Sequence, residues 1–169
     1  ILGCFGLTEP NFGSDAEHLI THAERVEGGW KFFGDKRFIT NGPVAKGMVL
    51  FARTDKTHRD RHGISAFVIP LEETGENGLK RGKIEHKAGL HAAQMCEFTF
   101  NGYFVPDRPE YGLFGELNQG FRIATKELKS ARKWIAAQAV GLLDCALKQA
   151  VLHAQGRATF GKPLKSRSS

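Results

Sequence analysis

The sequence predicts an α+β fold, in which an antiparallel β-barrel or sandwich is followed by one long helix. Two patterns lead to this prediction. From residue 1 to about residue 101, short runs rich in β-branched and aromatic residues alternate with glycine and charged turns, which is typical of barrels and sandwiches rather than of βαβ arrays. From about Gly120 onward, apolar residues recur at spacings of three and four, which is the period of an amphipathic helix.

Six short strands are predicted in the first region. The chain starts as a strand already under way at Ile1–Phe5, and Gly28-Gly29 is the turn of a hairpin. The strands are predicted at Ile1–Phe5, Leu19–Val26, Trp30–Phe33, Met48–Ala52, Ile64–Ile69 and Glu97–Phe100. Charged or polar loops are predicted at residues 54–62 and 72–78, and Pro70 ends the fifth strand because it cannot donate a ladder hydrogen bond.

A single amphipathic stripe marks the helical region. Its members are Phe121, Ala124, Leu128, Ala131, Ile135, Ala139, Leu142, Ala146 and Ala150. No proline interrupts the chain between Gly120 and Pro163, so the helix is predicted to reach about Ala154, a length of roughly 50 Å. A helix of that length needs other helices to cover its stripe, and we expect those helices outside the present sequence.

The composition favours a soluble globular protein of a reducing compartment, with 41% hydrophobic and 25% charged residues. No uninterrupted apolar run approaches the ~20 residues of a membrane helix, so no membrane partner is expected. The three cysteines are scattered and form no CxxC pair, which argues against a disulfide framework or a zinc site. The net charge is +6, but the basic residues are dispersed, so a nucleic-acid partner is not favoured.

The densest functional signal lies at residues 6–15. This segment reads Gly6-Leu7-Thr8-Glu9-Pro10-Asn11-Phe12-Gly13-Ser14-Asp15. It follows a strand, contains a proline and glycines that shape the backbone, and offers a hydroxyl at each end of the turn. From these residues alone, a ligand-lining loop and an ordinary capped turn are equally good interpretations.

The same segment resembles the signature of the acyl-CoA dehydrogenase family, Leu-Thr-Glu-Pro-x-x-Gly-Ser-Asp. Further family motifs follow in the same order, at Arg37–Gly42, Ala52–Thr54, Gly89–Ala93, Ala131–Gly141 and Arg157–Leu164. His91, Ala93 and the residues after Leu164 depart from the family pattern. Because several independent motifs occur in order up to Leu164, the chain is identified as a member of this family.

The resemblance implies an FAD-dependent enzyme of three domains that assembles as a dimer of dimers. Residues 1–115 would be its middle β-domain, and residues 116–169 would begin its C-terminal helical domain. The enzyme would dehydrogenate an acyl-CoA thioester, with a carboxylate taking the α-proton while hydride passes from the β-carbon to flavin N5. Its electrons would go to electron-transferring flavoprotein, in the bacterial cytoplasm or the mitochondrial matrix.

The resemblance also implies site residues. The FAD contacts would be Phe5, Gly6, Leu7, Thr8, Gly13, Ser14, Phe38, Ile39, Thr40 and Arg157, and the substrate contacts would be Ser14, Thr54 and Arg132. The Thr40 hydroxyl would face flavin N5, and Phe38 would cover one face of the ring system. Arg157 would reach the FAD pyrophosphate of a neighbouring subunit. For Phe38, Thr40 and Arg132, the residues alone would favour a plain strand and a solvated helix face.

The general base of this reaction is not expected within the chain. Most members of the family carry it as a glutamate late in the C-terminal domain, and a minority carry it immediately before the helix arginine. The second position is Ala131, which cannot accept a proton, and Glu127 matches no base of the family. We therefore expect the base beyond Ser169 and no dehydrogenase turnover from the 169 residues alone.

Other interpretations stay open at this point. The family resemblance also includes acyl-CoA oxidases and a DNA-binding flavoprotein of the alkylation response, and a truncated product that folds poorly is a further alternative. Residues 3–11 with Ala131-Arg132 look closer to the glutaryl-CoA dehydrogenase branch than to the medium-chain enzymes. A metal site at His58 and His62 is not favoured, because basic side chains surround that pair.

Overall fold

Eight strands form one mixed sheet in the computed structural model, which describes residues 2–71 and 77–167. The strands are β1 (Gly3–Gly6), β2 (His22–Val26), β3 (Gly29–Thr40), β4 (Gly47–Arg53), β5 (Ile64–Pro70), β6 (Leu79–Ile84), β7 (Met95–Pro106) and β8 (Gly112–Leu113). Their order is β6-β7-β3-β2-β4-β5-β8, and β1 pairs with β4. Most of the predicted loop at 72–78 lies outside the described residues.

The sheet is sandwich-like and is not a closed barrel, which confirms one of the two predicted architectures. β2 and β4 share a single residue pair, His22 with Arg53, so this narrow junction separates two groups of strands. The rings of Phe32 on β3 and Phe67 on β5 pack edge to face with centroids 5.0 Å apart, which joins the two groups around the main core. One part of the prediction was wrong: β1 and β4 run parallel.

The predicted strands are present, and the last of them is much longer than its sequence indicated. β7 continues from Met95 to Pro106, although only Glu97–Phe100 was predicted. Gly102 has a φ of 74° and is the extra residue where the register with β3 shifts. The resulting β-bulge lets β7 continue through a glycine that, by sequence alone, looks like the end of a strand. β6 was not predicted, because its charged sequence shows no alternation of apolar and polar residues. Its strand conformation depends on pairing with β7.

The predicted long helix is α1, Gly120–Gly156. The contacts of the chain divide it into two compact units, residues 1–125 and 126–169. Within the first unit, the opening turns of α1 place Ala124 in a second core cluster with Leu7, Leu19 and Phe51. The domain boundary predicted after residue 115 stays a prediction.

Within the second unit, the apolar side chains of α1 are exposed. Trp134 is 74% exposed and Leu147 is 65% exposed. An 18-residue window of α1 has a mean hydropathy of 1.4, so by length and composition alone this helix could cross a membrane. The window is not apparent as an uninterrupted apolar run in the sequence, because charged residues such as Asp144 and Lys148 interrupt it. Core helices of soluble proteins can have this length and hydropathy as well, so the window is weak evidence for a membrane span.

The three cysteines lie on three different elements, β1, β7 and α1. Cys4 and Cys96 are buried, and Cys145 is exposed on α1. Burial raises the pKa of the Cys4 thiol to about 12, so this cysteine is a neutral core residue at physiological pH.

Candidate functional site

The loop after β1 and the end of β3 lie side by side. The backbone N–H of Arg37 donates to the carbonyl oxygen of Thr8 at 2.9 Å. The Lys36 ammonium group donates to the carbonyl oxygen of Leu7 at 3.0 Å. The structure therefore brings together two segments, residues 5–8 and 38–40, which the sequence analysis selected from separate motifs.

Phe38 is held in an unusual backbone conformation at this place. Its φ is 58°, in the left-handed region that bulky residues rarely adopt, and the register with β7 shifts between Lys36 and Ile39. Phe38 is nevertheless 51% exposed, and the Arg37 guanidinium carbon lies 5.0 Å from its ring centroid. An exposed aromatic ring on strained backbone is a feature that clusters at ligand sites.

Thr40 is exposed like Phe38, whereas Ile39 between them is buried in the core. The two exposed side chains are thus available to a ligand. The side chain of Ile39 is not, so only the backbone of this residue could contribute the predicted cofactor contact.

The remaining predicted residues of the first loop differ in what they can offer. Phe5 is half-buried, with its ring centroid 4.9 Å from that of Phe51. A Cβ on Gly6 would lie 2.4 Å from the Met48 sulfur, so the buried Met48 side chain would have to shift to admit one, and Leu7 is 5% exposed. Gly6 and Leu7 would therefore contribute backbone groups to a ligand. Thr8 is half-buried, and two further predicted contacts are exposed: Gly13 and Ser14.

A fully buried ion pair lies beneath these two segments, and the sequence analysis did not assign it. Lys36 Nζ is 2.9 Å from Glu9 Oε1, and both side chains are almost completely buried. The Glu9 carboxylate also accepts hydrogen bonds from the backbone N–H groups of Ile20 and Thr21, at 2.8 Å and 2.9 Å. The signature motif includes Glu9, but no local pattern shows that Lys36 turns inward.

Both members of this pair are charged at neutral pH. Burial opposes ionisation of Glu9, but the Lys36 charge and the donated hydrogen bonds outweigh it, so the pKa of Glu9 lies below its usual value. Burial lowers the pKa of Lys36 to about 8, against the opposing attraction of Glu9. A charge-assisted contact of this kind is strong and directional.

The buried side chain of Arg53 connects two loops of the first unit. Its buried guanidinium donates to the carbonyl oxygens of Glu17, Leu19 and Asp60, at 2.9 Å, 3.2 Å and 2.9 Å, and also to that of His58. The guanidinium thus joins the loop after β1 to the loop between β4 and β5. Arg53 was part of the resemblance, but no role was assigned to it.

Thr54, a predicted substrate contact, belongs to a closed hydrogen-bond network. Its hydroxyl lies 2.6 Å from the Ser65 hydroxyl and donates to Asn118 Oδ1 at 2.7 Å, while the Asn118 N–H donates to Ser65 Oγ at 2.7 Å. Thr54 and Asn118 border a cavity of about 950 Å³, which Trp30 and Leu117 also line. Because the Thr54 proton is already donated, its hydroxyl can meet a ligand as an acceptor.

The two predicted arginines lie in the second unit. Arg132 and its neighbour Ala131 are exposed on α1, as is Glu127. Arg157 follows α1 directly, where its N–H donates to the carbonyl oxygen of His153 at 2.9 Å. A small hairpin of β9 (Ala158–Thr159) and β10 (Lys162–Pro163) comes next. The exposed side chain of Arg157 is free to reach a ligand or another subunit, as its predicted role requires.

One small cluster in the described part of the chain has the spacing of metal ligands. The ligand atoms of Asp15, Glu17 and His18 lie within 4.8 Å of one another, and His18 Nδ1 is 2.7 Å from Asp15 Oδ1. Exposed acidic groups of this kind are common without a metal ion, so this cluster supports no metal site by itself. His58 and His62 are both close to Asp60.

The comparison with protein families agrees with the signature motifs. Residues 4–103 match the family model described as "Acyl-CoA dehydrogenase, middle domain", and residues 118–168 match "Acyl-CoA dehydrogenase, C-terminal domain". The chain belongs to the acyl-CoA dehydrogenase family. Residues 104–117 separate the two matched regions, and the first region contains both segments of the candidate site, residues 5–8 and 38–40.

Individual acyl-CoA dehydrogenases are similar to almost the whole chain. The short-chain specific acyl-CoA dehydrogenase of Megasphaera elsdenii is 43% identical over 164 residues, which is 96% of this chain and 41% of that protein. The solved butyryl-CoA dehydrogenase of the same organism is 42% identical with a TM-score of 0.86, over 98% of this chain and 42% of that one. The chain thus spans about two fifths of the length of these relatives. Other relatives are bacterial or mitochondrial.

A further solved relative is similar in fold and is described with its cofactor. It is the FAD complex of PigA, which is 30% identical with a TM-score of 0.86 over 98% of this chain and 42% of that one. Its likeness to this chain extends through both matched regions.

Proposed function

We propose that this chain forms the flavin-contacting part of an FAD-dependent acyl-CoA dehydrogenase that acts on a short-chain acyl thioester. The observation that carries the proposal is the exposed ring of Phe38 beside the exposed Thr40, next to the loop at Leu7–Thr8. Family membership and the names of the similar proteins support FAD as the ligand of this surface. When bound, FAD supplies the hydride acceptor.

The residues of the site bind and orient in this proposal. The Phe38 ring offers a face on which a flat ring system can stack. The Thr40 hydroxyl would donate a hydrogen bond at the same surface, and the backbone of residues 6–8 would offer donors and acceptors to a polar edge. Ser14, Thr54 and Arg132 are proposed as substrate contacts, and Arg157 as a contact to the cofactor of a neighbouring subunit. None of these side chains is a carboxylate, so the α-proton must go to a base outside this set.

The proposed substrate follows the names of the relatives. The Megasphaera elsdenii proteins are a short-chain specific and a butyryl-CoA enzyme, so we favour a butyryl-like thioester over the glutaryl-CoA that the sequence motifs suggested. We propose electron-transferring flavoprotein as the electron acceptor and a dimer of dimers as the assembly. The proposed location is the bacterial cytoplasm or the mitochondrial matrix.

The visible absorbance spectrum of the complete gene product tests this function. We expect a flavin band that is bleached by anaerobic addition of butyryl-CoA, with slower or weaker bleaching by glutaryl-CoA and by a long-chain acyl-CoA. A flavin band that no acyl-CoA bleaches would favour the alternative of a non-dehydrogenase relative. A purified protein that neither contains nor binds FAD would refute the proposal.

Replacing Phe38 with alanine tests the surface to which FAD is assigned. Loss of the stacking ring is expected to weaken FAD binding by about tenfold, since aromatic stacking and its buried area contribute on the order of 1–2 kcal/mol. The matched control is Phe104→Ala, because Phe104 is a 42% exposed phenylalanine on β7, and it should leave FAD affinity unchanged. Equal FAD affinity of the two variants in a fluorescence titration would contradict the assignment.

A further inference from the structure

The buried ion pair of Glu9 and Lys36 occupies the space between the two walls of the candidate flavin site. One wall is the loop at Leu7–Thr8, and the other is the end of β3 with Phe38 and Thr40. Lys36 is on β3 and Glu9 is on the loop, so their contact at 2.9 Å spans the two walls. Neither side chain reaches solvent, and neither would touch a ligand at the surface.

Lys36 makes two contacts with the loop, and each is specific in direction. Its ammonium group donates to Glu9 Oε1 and, at 3.0 Å, to the carbonyl oxygen of Leu7. The next residue, Arg37, donates its backbone N–H to the carbonyl oxygen of Thr8. Two successive residues of β3 thus hold two successive residues of the loop, immediately before the bulge that turns Phe38 outward.

Glu9 extends the same connection to a third segment. Its two carboxylate oxygens accept the backbone N–H groups of Ile20 and Thr21, just before β2. The Glu9 carboxylate is therefore fixed on three sides and gives the Lys36 ammonium group one position.

Stability alone does not explain a buried pair of this kind. Desolvation of two charges offsets most of their attraction, so a pair of well-packed apolar residues is often as stable or more stable. What apolar residues cannot supply is a donor aimed at the carbonyl oxygen of Leu7. The geometry of the pair therefore suggests a role in position rather than in stability.

We propose that Lys36, with Glu9 as its counterion, is a positioning residue for the flavin site: its ammonium group sets the distance between the loop at Leu7–Thr8 and the exposed Phe38 and Thr40. This inference rests on the proposed function, because it concerns how the same surface holds FAD. The affinity for FAD and the reduction potential of bound FAD should both depend on Lys36, although Lys36 does not contact the cofactor.

The test compares three variants of the complete gene product: Lys36→Met, the double variant Glu9→Gln/Lys36→Met, and Lys31→Met. The single Lys36 variant leaves Glu9 buried without its counterion, and its melting temperature should fall by several degrees. The double variant removes both charges, so its melting temperature should rise above that of the single variant. It should stay below the wild-type value, because glutamine has one acceptor oxygen for the two backbone N–H groups of Ile20 and Thr21. Lys31 is an exposed lysine on the same strand and provides the matched control.

The deciding result is the behaviour of FAD in the double variant. We expect its FAD dissociation constant to stay about tenfold above the wild-type value, which corresponds to one lost charge-assisted hydrogen bond, and its flavin reduction potential to stay shifted. Lys31→Met should change neither quantity. If the double variant has the wild-type FAD affinity and reduction potential, the pair is only structural and the inference is wrong.

The same experiment separates this inference from the proposed function. A wild-type protein that binds no FAD would overturn both. A wild-type protein that binds FAD and is bleached by an acyl-CoA, together with a double variant of unchanged affinity and potential, would overturn only the role of Lys36.

Discussion

Replacing Arg53 with methionine is expected to lower the free energy of unfolding of the 169-residue chain by about 3–5 kcal/mol. The Arg53 side chain is buried and donates hydrogen bonds to carbonyl oxygens of Glu17, Leu19, His58 and Asp60. Methionine fills much of the same volume but donates none of these bonds. Several partly or fully buried carbonyl groups would then lose their partner, and each costs its own desolvation.

Urea denaturation at neutral pH measures this effect. The matched control is Arg59→Met, because Arg59 is an exposed arginine in the loop that Arg53 holds, and its change in unfolding free energy should stay within about 0.5 kcal/mol. Arg53→Lys should fall between the two, since lysine keeps the charge but has fewer donors and no planar fork. A loss of less than about 1 kcal/mol for Arg53→Met would show that water or neighbouring groups replace these hydrogen bonds.

Two glycines of helix α1 are expected to respond to alanine with opposite signs. At Gly120, an added Cβ would lie 2.3 Å from the Ser65 carbonyl carbon and 2.4 Å from the Ala66 nitrogen. These are backbone atoms of β5, which cannot rotate away as a side chain can. The start of the helix would have to move off the sheet, so Gly120→Ala should cost about 3 kcal/mol of unfolding free energy.

Gly141 is the matched control in the same helix. Nothing lies within 4 Å of an added Cβ there, and alanine is a better helix former than glycine. Gly141→Ala should therefore stabilise the 169-residue chain by about 0.5–1 kcal/mol. Thermal unfolding of both variants gives the comparison, and an increase in melting temperature for Gly120→Ala would contradict the close approach of α1 to β5.

The pattern of residue types along the chain correctly predicted the elements that depend on residues close together in sequence. The glycine pair at 28–29 predicted the hairpin of β2 and β3, which pair from His22 with Phe33 to Val26 with Gly29. The spacing of apolar residues predicted α1, and a period of 3.6 residues is visible in any stretch of ten or more. The signature motifs assigned Phe38 and Thr40 to a flavin site, which stays a prediction, and the match to the family's middle domain covers both residues.

The same pattern failed to predict conformations that depend on a segment distant in sequence. Gly102 ends a strand by its own preference, but pairing with β3 across a bulge keeps β7 continuous. Leu79–Ile84 has the composition of an exposed loop, and β7 makes it a strand. A lysine in a β region is expected to point to solvent, yet Lys36 is buried because Glu9, 27 residues earlier, supplies its counterion.

Residues close together in the chain were enough to predict the family, the hairpin, the long helix and the two segments at residues 5–8 and 38–40, because each is encoded locally. It is the folded sheet that brings these two segments together, turns Phe38 outward at a bulge, and buries Lys36 and Arg53 among carbonyl oxygens. Those features depend on hydrogen bonds and ion pairs between residues far apart in sequence, and their partners are defined only once the sheet has formed.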